Sequence, residues 1–518
     1  MLRGILTVGG WTMASRVLGF ARDILIAAML GAGPVADAFF VANRLPNLFR
    51  RLFGEGAFNA AFVPAFAGLL AAEGHDAAQA FAAEAAAVMT FWLFGLTVVA
   101  EIFMPAVLLV IAPGFAEIPE KFALAVDLTR ITFPYMPLIC LTALLSGVLN
   151  GLDRFAAAAA APVIYNLTSI GFMLGLVGLV PTAGHALAWG VSVSGVFQLA
   201  LLIWAVRAAG MRISVPRPRL TPQMRLLFRR MGPGLIGAGV TQLNLAVDVI
   251  IGSLLPAGTV SILYYADRIN QLPLGTIGVA VGTALLPTLS RQALGGEARA
   301  AIATLNRALE YALALTLPAA IALLAVPGAI LSVLFQRGAF SAEDVRLSSQ
   351  ALAAYAAGLP AFVLVKVLVP GFFARGDTAM PVKIGIGCVV LNLSLNVAFM
   401  GPLQHLGPPL ASSVASWANV AALGFVLMRR GHMAFDLALL RTVPRMLAAG
   451  LLMGAGLLAL EDGLFTRLAP HGVLRWAALA MLVGGGSAIY GIAGQLLGAF
   501  DVASLVRRRR PAPAQPKV

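Results

Sequence analysis

Two long apolar runs without a charged residue most strongly constrain what this chain can fold into. Residues 155–206 and 384–428 contain no Asp, Glu, Lys or Arg. About 20 apolar residues suffice to cross a bilayer as a helix, so each run is too long for a single crossing. A Pro-Thr-Ala-Gly turn at 181–184 divides the first run, and Gly-Pro at 401–402 divides the second. Each run therefore predicts two membrane helices joined by a turn.

The rest of the chain follows the same pattern. Hydrophobic residues make up 60% of the 518 residues, charged residues only 11%, and the mean hydropathy is +0.91. The runs lack strict alternation, which argues against a β-barrel. The sequence predicts an all-α integral membrane protein of about fourteen helices, near 3–33, 35–68, 80–112, 122–150, 156–180, 185–207, 231–254, 260–290, 302–334, 345–374, 381–401, 408–429, 443–460 and 475–500.

Basic residues orient these helices. They concentrate in connections that follow even-numbered helices, and the connection at 208–230 alone contains Arg212, Arg217, Arg219, Arg225, Arg229 and Arg230. Connections after odd-numbered helices offer little beyond Lys121, Arg337 and Arg467. Because Lys and Arg mark the cytoplasmic side, both termini are predicted to be cytoplasmic. This signal accounts for most of the net charge of +14, so no nucleic-acid partner is needed to explain it.

An internal repeat divides the chain. Pro64 and Pro287 are 223 residues apart, and so are Gly184 and Gly407. Six helices separate equivalent points, so the halves are predicted to be parallel repeats, an arrangement typical of alternating-access transporters. A static pore is the less favoured alternative. The predicted organisation is an N-terminal six-helix lobe at 1–210, a basic linker at 211–230, a C-terminal lobe at 231–430, two extra helices at 431–506 and a basic tail at 507–518.

Eight ionisable residues cluster between positions 16 and 55, within the first two predicted helices: Arg16, Arg22, Asp23, Asp37, Arg44, Arg50, Arg51 and Glu55. A charge at mid-bilayer costs about 2.5–3.5 kcal/mol even on the lenient insertion scale, so such a cluster needs a water-filled or partner-filled cavity. Five Arg against three carboxylates leave an excess of positive charge. The cluster therefore predicts a cationic chamber that binds an anion.

Helical spacing divides these residues into candidate roles. Asp37, Arg44 and Arg51 share one stripe with Glu55, although Arg51 and Glu55 at i,i+4 could equally be a structural ion pair. Three arginines lack a local carboxylate once Asp23 has been assigned to one of them, and they are the better candidates for ligand contact: Arg16, Arg22 and Arg50.

The second half carries fewer membrane charges. Asp267 and Arg268 are adjacent in helix eight, where neighbouring side chains point about 100° apart. We therefore favour a functional role over a self-neutralising pair. Asp248 is a lone carboxylate in helix seven and a possible cation or proton site.

Several motifs resemble the MurJ (MviN) family of bacterial lipid II flippases, in order along the chain. The longest are SRVLGFARD at 15–23 and DAFFVANRLPNLFRRLFGEGAF at 37–58. Shorter matches are APGF at 112–115, ITFP at 131–134, MGP at 231–233, YYADR at 264–268 and PVK at 381–383. Two positions depart from some relatives: Arg44 stands where they have Lys, and Gln271 where they have Glu.

The resemblance implies a fold of the multidrug/oligosaccharidyl-lipid/polysaccharide exporter type in the bacterial inner membrane. It also implies that the protein moves lipid II, an undecaprenyl-diphosphate-linked peptidoglycan precursor, to the periplasmic leaflet during cell-wall synthesis. Its cavity arginines correspond here to Arg16, Arg22, Arg50 and Arg268. Supporting charges are expected at Asp23, Asp37, Arg44, Arg51, Glu55 and Asp267. The other partners that the resemblance implies are membrane lipids and the cell-wall synthesis or division machinery.

The chemistry of these residues agrees with a diphosphate ligand, since Arg binds phosphate oxygens bidentately. Alternating access is the expected mechanism, with Arg16, Arg22, Arg50 and Arg268 capturing the diphosphate. No cofactor, metal site or catalytic residue is expected, and no nucleotide-binding motif occurs, so a membrane potential or an H⁺ or Na⁺ gradient would drive transport. The alternatives are export of another anionic lipid-linked glycan or of small molecules, and, much less favoured, a membrane enzyme acting on lipid-linked sugars.

Overall fold

The computed structural model describes residues 2–51, 57–468 and 472–500, and these residues form helices and short connections without a strand. The first nine helices are α1 (Leu2–Leu30), α2 (Pro34–Phe49), α3 (Ala57–Glu73), α4 (His75–Ile102), α5 (Met104–Ile111), α6 (Pro119–Thr132), α7 (Tyr135–Gly151), α8 (Ala156–Leu176) and α9 (Ala183–Ala208). The others are α10 (Pro222–Ser253), α11 (Thr259–Leu294), α12 (Ala298–Ala325), α13 (Pro327–Phe335), α14 (Ala342–Phe373), α15 (Ala379–Leu403), α16 (Gly407–Arg429), α17 (Leu437–Leu468) and α18 (Gly472–Leu496). The all-helical prediction is confirmed.

Several predicted helices are divided in two, mostly beside a proline. The predicted helix 122–150 is α6 and α7 with Pro134 between them, and the predicted helix 302–334 is α12 and α13 with the break before Pro327. Proline cannot donate the backbone hydrogen bond that would continue a helix. Nine helical segments within the described residues are long and apolar enough to cross a membrane. The number fourteen therefore stays a prediction.

The two charge-free runs form helical hairpins, as predicted. The first run contains α8 and α9, the second contains α15 and α16, and the two helices of each hairpin pack against each other. The helices inside a hairpin need no buried charge, because both their lipid-facing and protein-facing surfaces are apolar.

Landmarks of the internal repeat occupy equivalent positions in matching helices. Gly184 lies at the start of α9 and Gly407 at the start of α16. Arg207 lies in the last turn of α9, and Arg430 caps the end of α16. Residues at the same sequence offset thus occupy equivalent positions in α9 and α16. The lobe boundaries stay a prediction.

By internal contacts the chain forms two units. The first comprises Met1–Tyr264 with Phe335–Asp344, and the second comprises Tyr265–Leu334 with the chain from Val345 onward. The boundary falls inside α11, between Tyr264 and Tyr265. In the second unit, α17 and α18 pack on α12 and α13 around a buried group that includes Met453, Leu457 and Leu482.

Polar side chains cap the N-termini of two of the long helices. Thr221 Oγ1 accepts a hydrogen bond from Met224 N (3.3 Å) at the start of α10. Asp436 Oδ1 accepts from Leu439 N (2.7 Å) at the start of α17, and its Oδ2 accepts from Arg307 Nη2 of α12 (2.7 Å). These caps satisfy backbone N–H groups that have no partner within the helix. Asp436 also ties the first of the two extra helices to α12.

Candidate functional site

Arg22 lies at the centre of a polar cluster in the first unit. Its Nη2 donates to Asp23 Oδ1 at 2.8 Å and its Nε donates to the same oxygen at 3.3 Å. The guanidinium also stands 5.0 Å from the centre of the Tyr165 ring, within the range of a cation–π interaction. Asp23 is fully buried, and Tyr264 Oη donates to it at 3.4 Å. Of the three candidate arginines, the structure therefore assigns Asp23 to Arg22.

A narrow crevice surrounds Arg22. Tyr165 and Ser169 of α8 and Tyr264 of α11 line it together with Phe39 and Asn43 of α2. The crevice has no room for a water molecule in this conformation.

Arg50 belongs to a ladder of amide side chains along α2. Its Nε donates to Asn47 Oδ1 at 3.1 Å, and Asn47 Nδ2 donates to the Asn43 carbonyl oxygen at 2.8 Å. Asn43 also lines the Arg22 crevice. Sequence reasoning missed both asparagines, although their i,i+4 spacing places them on one face of α2.

Asp37 is held by partners that sequence reasoning did not identify. Lys121 Nζ lies 2.7 Å from its Oδ2, and Gly258 N donates to the same oxygen at 2.7 Å. Ser261 donates to Oδ1 through both its backbone N and its hydroxyl, each at 2.8 Å. Asp37 therefore caps the N-terminus of α11 while it pairs with Lys121.

The predicted position of Lys121 in a connecting loop is wrong. Lys121 lies in the first turn of α6, is only 4% exposed, and its Nζ stands 4.0 Å from the centre of the Phe115 ring. Pro119 starts α6 three residues earlier than the apolar pattern indicated, because proline fits the first turn of a helix. The lysine is part of a buried ion pair with Asp37.

The other predicted charges are more dispersed. Arg44 and Arg51 are half-buried, Asp248 is half-buried in α10, and Glu55 lies outside the described residues. Arg268 belongs to the second unit, on α11. Beside it, Asp267 accepts a hydrogen bond from Gln271 Nε2, one turn further along the same helix. Gln271 thus holds the carboxylate beside Arg268.

Arg16 stands apart from this cluster. It lies one and two-thirds helical turns before Arg22 on α1 and is exposed, and it lines a separate cavity of about 390 Å³. Asn150 and Phe155 line the same cavity. The structure therefore brings Arg22 and Asp23 together and places Arg16 on a different surface of α1.

Two further ionisable groups were missed. Lys366 is half-buried in the last third of α14 within an otherwise apolar stretch, a signal that the sequence itself offered. His185 Nε2 lies 2.9 Å from Asp127 Oδ2, and its Nδ1 lies 2.8 Å from Thr182 Oγ1. Among the residues that the structure describes, no three His, Cys, Asp or Glu side chains gather as a metal site.

Solved structures resemble this fold. A structure described as lipid II flippase MurJ in an inward closed conformation matches with a TM-score of 0.79, covering 97% of this chain and 100% of that chain at 23% identity. An inward-facing MATE-family multidrug resistance transporter of the MOP superfamily matches with a TM-score of 0.62, covering 82% and 97% at 16% identity. These likenesses show that the chain has the fold of multi-pass membrane transporters.

Sequence relatives narrow the class further. A family model described as "Lipid II flippase MurJ" matches residues 26–475. A probable lipid II flippase MurJ of Rhizobium tropici is 43% identical, over 99% of this chain and 98% of the relative. Lipid II flippase MurJ of Burkholderia cenocepacia is 36% identical, over 88% of this chain and 89% of the relative. The chain belongs to the lipid II flippase MurJ family.

Proposed function

We propose that this protein carries lipid II from the cytoplasmic to the periplasmic leaflet of the bacterial inner membrane by alternating access, with both termini in the cytoplasm. Family membership supports the substrate and a transporter in place of an enzyme. The observation that carries the site is the buried Arg22, held by Asp23 and Tyr165 within the first unit. The same family evidence does not favour export of another glycan or of small molecules.

The Arg22 cluster suits a diphosphate. Arg22 is 12% exposed, so its charge acts in a medium of low dielectric, where pairing with phosphate oxygens is strong. Asp23 holds the Arg22 guanidinium in place. It neutralises only one of the several arginines near this part of the chain, so positive charge remains for the ligand. Arg16, Arg50 and Arg268 are the other proposed contacts.

The pairing at Asp37 is proposed as a contact that opening of the site must break. Its carboxylate joins α2 to the N-terminus of α11 and to Lys121 of α6. Separating these elements would leave a buried charge without its partner, which costs several kcal/mol. Ligand binding must therefore favour the opened state by a comparable amount. A membrane potential or an H⁺ or Na⁺ gradient is the proposed source of the remaining work, and Asp248 is the proposed coupling carboxylate.

Native mass spectrometry of the purified protein tests this function. The protein would be incubated with lipid II, undecaprenyl phosphate and a lipophilic cation, and compared with Arg22→Ala and Arg268→Ala. We expect preferential lipid II binding that falls at least tenfold in both variants, because each loses charged hydrogen bonds to phosphate. Arg219→Ala, which removes an exposed arginine of the connection before α10, is the matched control.

Three results would contradict the proposed function or its site residues. Equal binding of lipid II and the cation by the wild type would contradict a lipid II carrier. Lipid II binding that survives in both variants would remove Arg22 and Arg268 from the substrate site. Flipping of lipid II in proteoliposomes by Arg268→Ala at the wild-type rate would contradict capture by arginines of both repeats.

A further inference from the structure

The cavity at Arg16 is built differently from the Arg22 crevice. It has a volume of about 390 Å³, within the range of pockets that bind small ligands. Arg16 and Arg22 are six residues apart on α1, which separates them by about 9 Å along the helix and roughly 120° around it. The two arginines therefore serve two distinct places, one open and one closed in the same conformation.

Local structure explains why this cavity exists. Asn166 Nδ2 of α8 donates to the Ser15 carbonyl oxygen at 3.0 Å and fixes the contact between α1 and α8. Towards the start of α8, Ala158 and Ala159 are too small to fill the space beside α1. The tight α7–α8 turn, with Asp153 at a φ of 57°, places Asn150 and Phe155 on the remaining side.

The groups that line the cavity are available to a ligand. Within the described part of the chain, the Arg16 guanidinium, the Asn150 side-chain amide and the Phe155 ring make no ion pair, side-chain hydrogen bond or ring contact. The Phe155 side chain is 39% exposed. By contrast, Arg22 and Arg50 are already bonded to Asp23 and Asn47. A cation, an amide and an aromatic face in one cavity match a phosphate joined to a sugar.

We propose that this cavity is a loading site for the phosphorylated end of the lipid substrate, in which Arg16 binds the phosphate oxygens while Asn150 and Phe155 receive the adjoining sugar. The proposal rests on the proposed function and adds a step to it. The substrate is held first at Arg16, which is accessible in this conformation, and passes to Arg22 when the inner crevice opens. Arg16 binds phosphate as a charged fork, Phe155 offers an apolar face to the sugar ring, and Asn150 hydrogen-bonds its hydroxyls.

Ligands that differ in one chemical part separate the roles of these residues. The full-length protein in phosphatidylcholine nanodiscs would be titrated with lipid II, with undecaprenyl diphosphate, which lacks the sugar, and with phosphatidylglycerol, an anionic phospholipid. Arg16→Gln should weaken both diphosphate lipids at least tenfold, because it removes charged hydrogen bonds. Phe155→Ala and Asn150→Ala should each weaken lipid II about fivefold and leave undecaprenyl diphosphate within twofold.

Controls and contrary outcomes keep this test decisive. Leu167→Ala, at an exposed apolar position of α8, should leave the binding of all three ligands unchanged. Arg16→Lys should recover part of the binding of the diphosphate lipids. Folding of each variant is checked by its thermal unfolding midpoint. Equal weakening of phosphatidylglycerol and lipid II in Arg16→Gln would make the cavity a general phospholipid site and overturn the proposal.

Failure of the loading site is distinguishable from failure of the function. Lipid II binding that depends on Arg22 but is unchanged in Arg16→Gln and Phe155→Ala would overturn the loading site alone. A wild-type protein that binds undecaprenyl diphosphate and lipid II no better than phosphatidylglycerol would contradict the proposed function itself.

Discussion

Lys121 Nζ lies 2.7 Å from Asp37 Oδ2, and both side chains are buried, although 84 residues separate them in sequence. The same carboxylate caps the N-terminus of α11 through Gly258 and Ser261. One acidic side chain thus joins α2, α6 and α11. Neighbouring groups satisfy both of its oxygens, which is the condition under which a buried ion pair is tolerated.

Removing one member of this pair should destabilise the protein strongly. Asp37→Asn keeps the side-chain shape but leaves Lys121 buried without its counter-charge, so we expect the free energy of unfolding to fall by about 3 kcal/mol. Denaturation of the detergent-solubilised protein measures this. Adding Lys121→Met should restore part of the loss. Purely additive effects of the two substitutions would show that the residues are not coupled.

The Tyr165 ring should matter for its aromatic face. It stands 5.0 Å from the Arg22 guanidinium, and a cation–π contact of this kind is worth about 1 kcal/mol. We expect Tyr165→Leu to weaken lipid II binding about fivefold, since Arg22 loses one of its supports. Tyr165→Phe keeps the ring and should bind within twofold of the wild type. Equal loss in both variants would assign the effect to the hydroxyl.

Acidification should remove the contribution of one surface ion pair, Arg430 with Asp377, to the stability of the fold. Arg430 Nη1 donates to Asp377 Oδ2 at 2.5 Å, and this bond, together with Met380 N, holds the pKa of Asp377 below its usual 3.8. A carboxyl with a lowered folded-state pKa contributes stability above its unfolded pKa and loses it as pH falls through the folded value. The pair is partly exposed, so we expect only about 0.5 kcal/mol.

Comparing wild type with Asp377→Asn across pH measures that contribution. The stability difference should be present above the ordinary Asp pKa of 3.8 and should be lost as the pH falls through the lowered folded-state pKa. Glu297→Gln, which removes an exposed carboxylate in the α11–α12 turn, is the control and should show a smaller change. A difference that does not diminish as the solution is acidified would mean that the carboxylate charge is not the cause.

Gly338 should tolerate no side chain. Its φ is 56°, and a Cβ there would stand 2.2 Å from the Ala28 carbonyl oxygen, close to the Ala339 N to Ala28 O hydrogen bond of 2.7 Å. Gly376 has a φ of 76° but open space around it. Gly376→Ala should cost about 1 kcal/mol of backbone strain, and Gly338→Ala about 2 kcal/mol more from the clash. Thermal unfolding of both variants compares them, and equal losses would contradict the close approach.

Much of the fold could be predicted because its signals are local. The hairpins α8–α9 and α15–α16 follow from apolar runs longer than one crossing, and the repeat follows from landmarks at one constant offset. The breaks within helices were harder to predict, since the tendency of Pro134 and Pro327 to end a helix competes with apolar runs that continue past them. The pairing of Arg22 with Asp23 was foreseeable as one of several options.

Hydropathy, charge asymmetry and the N-terminal motifs thus determined the membrane-embedded helical class, the family resemblance and the candidate arginines, because each depends on residues close together in sequence. Tertiary structure alone decided which charges are partners. It paired Lys121 with Asp37. It also closed the crevice around Arg22 and left Arg16 in an open cavity with Asn150 and Phe155. The physical reason is that a buried charge is stabilised by whichever group the packing brings within about 4 Å, and that distance is independent of separation along the chain.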